Sequence, residues 1–392
     1  MERLLHRLTL ITIIFFIMLE TSGCWDNVPI TEKAMVMGVG IDKTEDNMIE
    51  LTLQVVKPTS INYGEGSQGS SDTVWVYSTK GKTLFKAMRN QLQTINRKPF
   101  YSHVQVIIIG DELAKTGIQE VIDLFERDRE PRLSPTVLIA KETTAKKVLS
   151  AKSDLENVPA MHIMEILLNN KNNFGIHNMS FINLIRNLRY PGQNPTVGVI
   201  EIENEKNDLN IADMKVKGGA ILKKDKFIGW LDEKDIEGLN YVLNTSHNGI
   251  IETENPFNKG KFVTIEQKRS DTTINVKFED EKLVFMIEVD AEGNIGGEEG
   301  EADLTTKDAL SNLEGQIEKS IKEKIENIIS LAQDKYKSDV FGFGEKLNKK
   351  YPYYWEEVKP NWSEEFSHSL IEVNVKFEIR NSGLINHPTK VE

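Results

Sequence analysis

A chain of 392 residues with one cysteine, Cys24, cannot close an internal disulfide, so its stability has to come from packed cores. If Cys24 is consumed, thiolate metal sites and cysteine catalysis are excluded together. The seven histidines (6, 103, 162, 177, 247, 368 and 387) show no H-x-H, H-x-x-x-H or H-E-x-x-H spacing, which removes the zinc signatures. No G-x-S-x-G elbow occurs; the glycines and serines of 64–70 have the wrong spacing and loop-like surroundings. Gly38-x-Gly40 lacks the third glycine of a dinucleotide fingerprint, with Lys43 in its place, and reads as a strand with close backbone neighbours. No catalytic residue, cofactor or metal is expected. A basic excess is missing too: 60 acidic residues face 48 Lys and Arg, a net charge of −12. That balance argues against nucleic acid as a partner, and against lying flat on an anionic membrane. Long apolar runs are scarce. The one at Leu8–Leu19 falls short of the roughly 20 residues of a spanning helix, and no later run approaches that length.

What precedes Cys24 gives its thiol a role. Arg3 and Arg7, the uncharged run Leu8–Leu19 and the small residues Ser22-Gly23 form a basic start, an apolar centre and a cleavage site, the pattern of a secretory signal. A sole cysteine at the new N-terminus looks like a bacterial lipobox, although Thr21 stands where leucine is usual and Glu20 is unusual. The expectation is cleavage between Gly23 and Cys24, with an S-diacylglycerol thioether and an N-acyl group (palmitate, for example) on Cys24. Each buried CH₂ contributes about 0.8 kcal/mol, one chain binds only reversibly, and two anchor stably. The signal's charges cancel (Arg3 and Arg7 against Glu2 and Glu20), so the mature chain keeps the whole net charge.

Periodicity predicts a mixed α/β (α+β) chain. Residues 34–42 and 49–56 alternate as an antiparallel pair about Asp46-Asn47, and the Gly/Ser-rich segment 62–72 reads as a flexible loop. A strand over 73–79 precedes a helix over 82–95. The β-branched run 104–109 reads as a buried central strand. A helix over 111–125, a strand over 134–140 and helices at 143–150, 158–170 and 180–188 follow. Polar residues 204–208 suggest a boundary, then a hairpin over 217–231 and a helix over 233–243. Three alternating strands (261–268, 272–278, 282–290) end at Glu292-Gly293-Asn294-Ile295-Gly296-Gly297. A long helix, 306–336, carries Leu310, Leu313, Ile317, Ile321, Ile325, Ile328 and Ala332 on one face, with Glu314, Glu318, Lys322 and Glu326 spaced for i,i+4 pairs. A strand over 370–379 joins the earlier three. The expected units are a signal peptide (1–23), an N-terminal mixed α/β domain (24–203), a small middle domain of hairpin plus helix (212–258), and a C-terminal α+β domain (261–392) whose antiparallel sheet packs against the long helix.

Three clusters carry two readings each. Glu126-Arg127-Asp128-Arg129-Glu130-Pro131-Arg132 reads as an ion-paired helix end stopped by Pro131, or as a docking site. His103 reads as a hydrogen-bonded structural histidine or a ligand. Tyr351, Tyr353, Tyr354, Trp355 and Trp362 read as packing around a proline-bearing loop, or as an apolar binding surface.

Taken in order, several segments resemble the Ger(x)C lipoproteins, the C subunits of nutrient germinant receptors in spore-forming bacteria. They are Ser22-Gly23-Cys24-Trp25-Asp26, Val39-Gly40-Ile41-Asp42, Ser102-His103-Val104, Gly110-Asp111-Glu112-Leu113-Ala114 and Arg127-Asp128-Arg129-Glu130. Gly218-Gly219-Ala220, Gly229-Trp230-Leu231, Gly238-Leu239-Asn240-Tyr241, Glu292–Gly296 and Asp339-Val340-Phe341-Gly342-Phe343-Gly344 complete the set. The resemblance implies three domains, no enzymatic activity, and an anchor on the outer face of the spore inner membrane. It also implies assembly with two polytopic partners, an A subunit and a B subunit resembling amino-acid transporters, and a part in nutrient-triggered germination. Only Cys24 carries over as a functional residue, the lipid attachment site. The alternative class is a solute-binding lipoprotein of an importer, which would need two similar strand–helix lobes around a cleft.

Overall fold

The computed structural model describes residues 1–20, 29, 32–57, 73–127, 130–152, 156–169, 174–206, 211–280, 282–300 and 303–381. Helix α1 (Glu2–Glu20) leads the chain, exposed over residues 2–14. No helix among the described residues is long and apolar enough to cross a membrane.

The first sheet is built around parallel strands. β1 (Lys33–Lys43) and β2 (Ile49–Val56) pair antiparallel across a turn where Asn47 adopts a φ of 56°, a geometry asparagine tolerates. β3 (Val74–Gly81) extends β2; α2 (Leu84–Gln91), capped by Thr83, turns back over the sheet; and β4 (Lys98–Phe100) lies parallel to the start of β1. β5 (Val106–Gly110) is wholly buried and parallel to β1, as its β-branched run predicts. The helix expected over 111–125 is two, α3 (Asp111–Thr116) and α4 (Gln119–Arg127), because Gly117 breaks it at a φ of 125°. β6 (Thr136–Ala140), α5 (Ala145–Ser150), α6 (Pro159–Asn169), β7 (Met179–Ser180) and α7 (Phe181–Arg189) lead to β8 (Thr196–Lys206), β9 (Ile211–Lys223) and β10 (Lys226–Leu231). The order is β10-β9-β8-β6-β5-β1-β2-β3, with β4 on β1 and β7 on β6. One face packs α2, α3, α4 and α7 against Ile41, Ile107, Ile109 and Val137; the other packs α5 and α6 against Val106, Ile108 and Leu138. The hairpin read from sequence as part of a middle unit is therefore the edge of this sheet, paired with β8 through β9.

Helix α8 (Glu233–Val242) carries the chain to a second sheet of β11 (Gly249–Glu254), β12 (Phe262–Glu279), β13 (Lys282–Glu298) and, after α9 (Lys307–Ser330), a π turn at 331–335, α10 (Phe343–Lys350), α11 (Pro352–Val358) and α12 (Trp362–His368), β14 (Leu370–Asn381). Four sequence expectations need correction here. The strands at 261–268 and 272–278 are one strand, β12, because a bulge between Gln267 and Arg269 shifts the register and leaves Lys268 and Arg269 both exposed. Glu292–Gly297 stays within β13 rather than ending it. The last strand runs parallel to β13, so the sheet is not wholly antiparallel. A parallel return needs a long crossover, which α9 through α12 provide. The apolar stripe of α9 faces the sheet: Leu313, Ile317, Ile321, Ile325 and Ile328 are all at most 1% exposed. Glu314 and Glu318, expected in helical ion pairs, instead accept the N–H groups of Ile379 (2.9 Å) and Phe377 (3.0 Å) on the outer edge of β14.

Candidate functional site: the seam between the sheets

Several glycine- and aromatic-bearing segments come together where the two sheets meet. Asp339 follows the π turn and is fully enclosed. Its carboxylate accepts the backbone N–H groups of Phe341 (3.0 Å), Gly342 (2.9 Å) and Gly344 (2.9 Å) and the indole N–H of Trp362 (3.1 Å). Its backbone carbonyl accepts the N–H of Asn194, at 2.7 Å, from the loop before β8. Desolvation outweighs these four donors and pushes the carboxyl up to about 6. The same indole N–H is shared with the carbonyl of Gly192 (3.0 Å) in the turn after α7. Gly192 has a φ of 83°, and a Cβ there would lie 2.3 Å from the Trp355 ring, so both conformation and space demand glycine.

A second contact set closes the seam from the other side. A Cβ on Gly229 would lie 2.2 Å from the Tyr336 ring, and the Tyr336 hydroxyl donates to the Trp230 carbonyl at 3.0 Å. A Cβ on Gly238 would meet the Lys324 carbonyl at 2.3 Å, which is how closely α8 crosses α9. Asn240 donates to the carbonyls of Phe174 (2.8 Å) and Ile176 (2.9 Å), so its oxygen accepts from His177 Nδ1 (3.0 Å). Burial pushes the pKa of His177 down and keeps the ring neutral. Tyr241 donates to Gln267 (2.7 Å), and Gln267 to the Ser246 carbonyl (2.7 Å), tying α8 to β12. Burial pushes the Tyr241 phenol far up, so it acts as a fixed donor. The seam joins the two sheets through packed aromatic rings and hydrogen-bonded amides.

The expected lipid site, Cys24, and the cleavage point at Gly23 lie outside the described residues. Val39-Gly40-Ile41-Asp42 lies far from the seam. Asp42 is buried and caps α5 by accepting the N–H groups of Ala145 (2.8 Å) and Lys146 (3.0 Å), while burial raises its pKa. Gly38 sits in β1 where a Cβ would meet Leu149 at 2.7 Å, a close-neighbour strand position. His103 is exposed beside the Phe100 ring (5.6 Å), and no cluster of His, Cys, Asp or Glu among the described residues could hold a metal. In the charge cluster, Glu126 pairs with Arg189 (2.6 Å) and Arg127 with Asp123 (2.7 Å); Asp128 and Arg129 lie outside the described residues. The aromatic cluster divides. Trp355 and Trp362 are buried in the seam, Tyr351 and Tyr354 lie edge-on to Phe278, and Tyr353 is 90% exposed. Its surroundings are helices α11 and α12 rather than a loop, because Pro352 occupies the first turn of α11.

Sequence reasoning missed the roles of Asp339, Gly192, Tyr336 and His177. Two signals were available. Tyr190-Pro191-Gly192 is a turn sequence next to a helix, and Asp339 precedes a glycine–aromatic alternation able to wrap a carboxylate.

Residues 26–202 match the family described as spore germination protein N-terminal domain, and residues 217–383 that described as spore germination B3/GerAC like, C-terminal. Spore germination protein KC of Bacillus subtilis (strain 168) is 26% identical over 385 residues, covering 94% of each chain. Spore germination protein B3 of the same organism is 28% identical over 381 residues, covering 95% of this chain and 98% of its own. The crystal structure of the GerBC protein aligns with a TM-score of 0.56 at 24% identity, over 88% of this chain and 97% of that one, a likeness of fold. With matches over both halves in order, together spanning most of the sequence, the chain belongs to the Ger(x)C family of spore germination proteins.

Proposed function

We propose that this chain is the lipid-anchored, non-catalytic C subunit of a nutrient germinant receptor. In this reading it is tethered through Cys24 to the outer face of the spore inner membrane and is needed for nutrient-triggered germination. It assembles there with two integral membrane subunits, one of them transporter-like. The observation that carries the reading is the match of both halves of the chain, in order, to spore germination families. The seam supports a non-catalytic role, since its buried polar groups serve to join two sheets. The shared packing across the seam is also unlike the open cleft between two similar lobes that a solute-binding lipoprotein needs. Within the same reading, residues 24–203, 212–258 and 261–392 are three units, the middle one lending its hairpin to the first sheet and α8 to the second.

The test has two parts. Cys24→Ala should abolish labelling by a radioactive lipid precursor and leave unprocessed protein; continued labelling would refute the anchor. A mild-detergent pull-down from spore inner membrane should return two polytopic proteins. An importer permease with its ATPase would place the chain in solute uptake instead.

A further inference from the structure

The chain is acidic overall, but its charge is not evenly spread. From Thr73 to Gly110 there is no Asp or Glu, while Lys80, Lys82, Lys86, Arg89, Arg97 and Lys98 all fall in this stretch. All six cations are exposed, and among the described residues Lys82, Lys86, Arg89, Arg97 and Lys98 are free of salt bridges. The centre of the stretch is α2, and its sequence sorts into three stripes. Leu84, Ala87 and Gln91 are buried against the sheet. One position on, Phe85 (56% exposed) and Leu92 (51% exposed) face outward, with the half-buried Met88 between them packed partly against the core. One further turn of the wheel brings Lys82, Lys86 and Arg89, with the Arg89 guanidinium 5.1 Å over the Phe85 ring. Outward apolar residues flanked by cations are the pattern of a helix that lies in a membrane interface.

The neighbouring acids subtract one charge from this face and leave it positive: Glu120 of α4, which accepts the N–H of Leu84 at 3.3 Å, keeps its charge, while Asp123 is paired with Arg127. Position along the chain points the same way. β4 pairs with the first residues of β1, Lys98 opposite Lys33, and the Lys33 ammonium lies 4.3 Å over the Phe100 ring. Lys33 is nine residues past Cys24. A linker of that length reaches at most about 30 Å, so an anchored chain holds the Lys33 end of the first sheet and its Arg97-Lys98 corner near the bilayer. Helix α2 starts at the opposite end of the sheet, beside Lys43, and runs back toward this corner, where Gln91 meets Tyr101. This reach argument rests on the lipid-anchor reading above; the charge and stripe arguments do not.

We propose that α2 with the Arg97-Lys98 corner is a second membrane contact, an electrostatic and apolar footprint for anionic phospholipid that sets the orientation of the tethered chain. The occupant is a bilayer surface, because a cation-rich face with two outward apolar side chains suits anionic headgroups over an acyl boundary. A protein partner is the competing outcome.

The test uses the mature polypeptide from Trp25 onward without acyl groups, which keeps all three apolar cores since they begin at Ala34. Sedimentation with vesicles of phosphatidylcholine alone is compared with vesicles that also contain phosphatidylglycerol. Binding should require phosphatidylglycerol and weaken with added salt. Lys86→Gln with Arg89→Gln should lower the partition coefficient about 25-fold, at about fivefold per cation near an anionic surface. Phe85→Ser with Leu92→Ser should lower it at all salt concentrations. These side chains are exposed, so the circular dichroism melts of the variants should match the parent. Equal sedimentation with both vesicle types, none with either, or an unchanged value in the charge variant would overturn the proposal. Loss of co-purifying membrane proteins at unchanged vesicle affinity would overturn it too, assigning the face to a protein. Failure of acylation at Cys24 leaves this assay untouched, so the two readings fail separately.

Discussion

Asp339 places a carboxylate where a neutral acceptor would fit more easily. Four N–H donors surround it, yet burial holds its pKa near 6, above the unfolded value of 3.8. Between those two values the folded chain binds the extra proton, so stability contributed at this site is greatest at low pH and falls as pH rises towards 6. The drop amounts to at most about 3 kcal/mol, from about 1.4 kcal/mol per unit. Asp339→Asn removes the titration and points an amide NH₂ at N–H donors, which costs about 2–4 kcal/mol. The expected result from denaturant melts is a variant deficit that is largest near pH 4 and shrinks by pH 7. A deficit that grows with pH would mean that the donors dominate and the carboxylate is stabilised in its charged form. At this scale the sequence was partly legible. The segment Asp339–Gly344 stood out by resemblance, but nothing in its spacing says that the wrapped group is its own aspartate. The partner across the seam, Gly192, lies 147 positions earlier, beyond any local pattern.

Among the elements, α9 was the most legible and the second sheet the least. A 3.6-residue stripe names the buried face of a helix directly, and Ile321 sits at its centre with 1% exposure. Ile321→Asp should therefore destabilise the chain by several kcal/mol, since a buried charge without a partner keeps little of its hydration. An unchanged melting temperature would mean that the stripe is open to another partner. Strand alternation names faces but not directions or neighbours, which is why β14 could be placed in the sheet and not oriented. It also fails wherever a bulge inserts a residue, as at Lys268 in β12. The carboxylates of Glu314 and Glu318 illustrate a further limit. Their spacing suits helical ion pairs, and only the fold shows them bound to the bare edge of β14.

For the whole molecule, the decisive feature is a core that crosses the seam. Phe174, Ile221 and Leu231, from the first sheet and its loops, belong to the same apolar cluster as Phe285, Ile321 and Trp355. Calorimetry should accordingly show one cooperative transition; two separated transitions would mean that the halves are joined only loosely. The sequence suggested a boundary near 204–208, and polarity there is real, yet strands β8 and β9 on either side of it form an antiparallel pair. The matches to the N- and C-terminal families, 26–202 and 217–383, meet across that pair. Cut there, the upstream piece would be left with β8 as a naked hydrogen-bonding edge, inviting self-association, and the downstream piece would carry two strands with no sheet to join. The two halves are thus obliged to descend together: a recombination that exchanged one without the other would have to rematch a strand ladder as well as a surface.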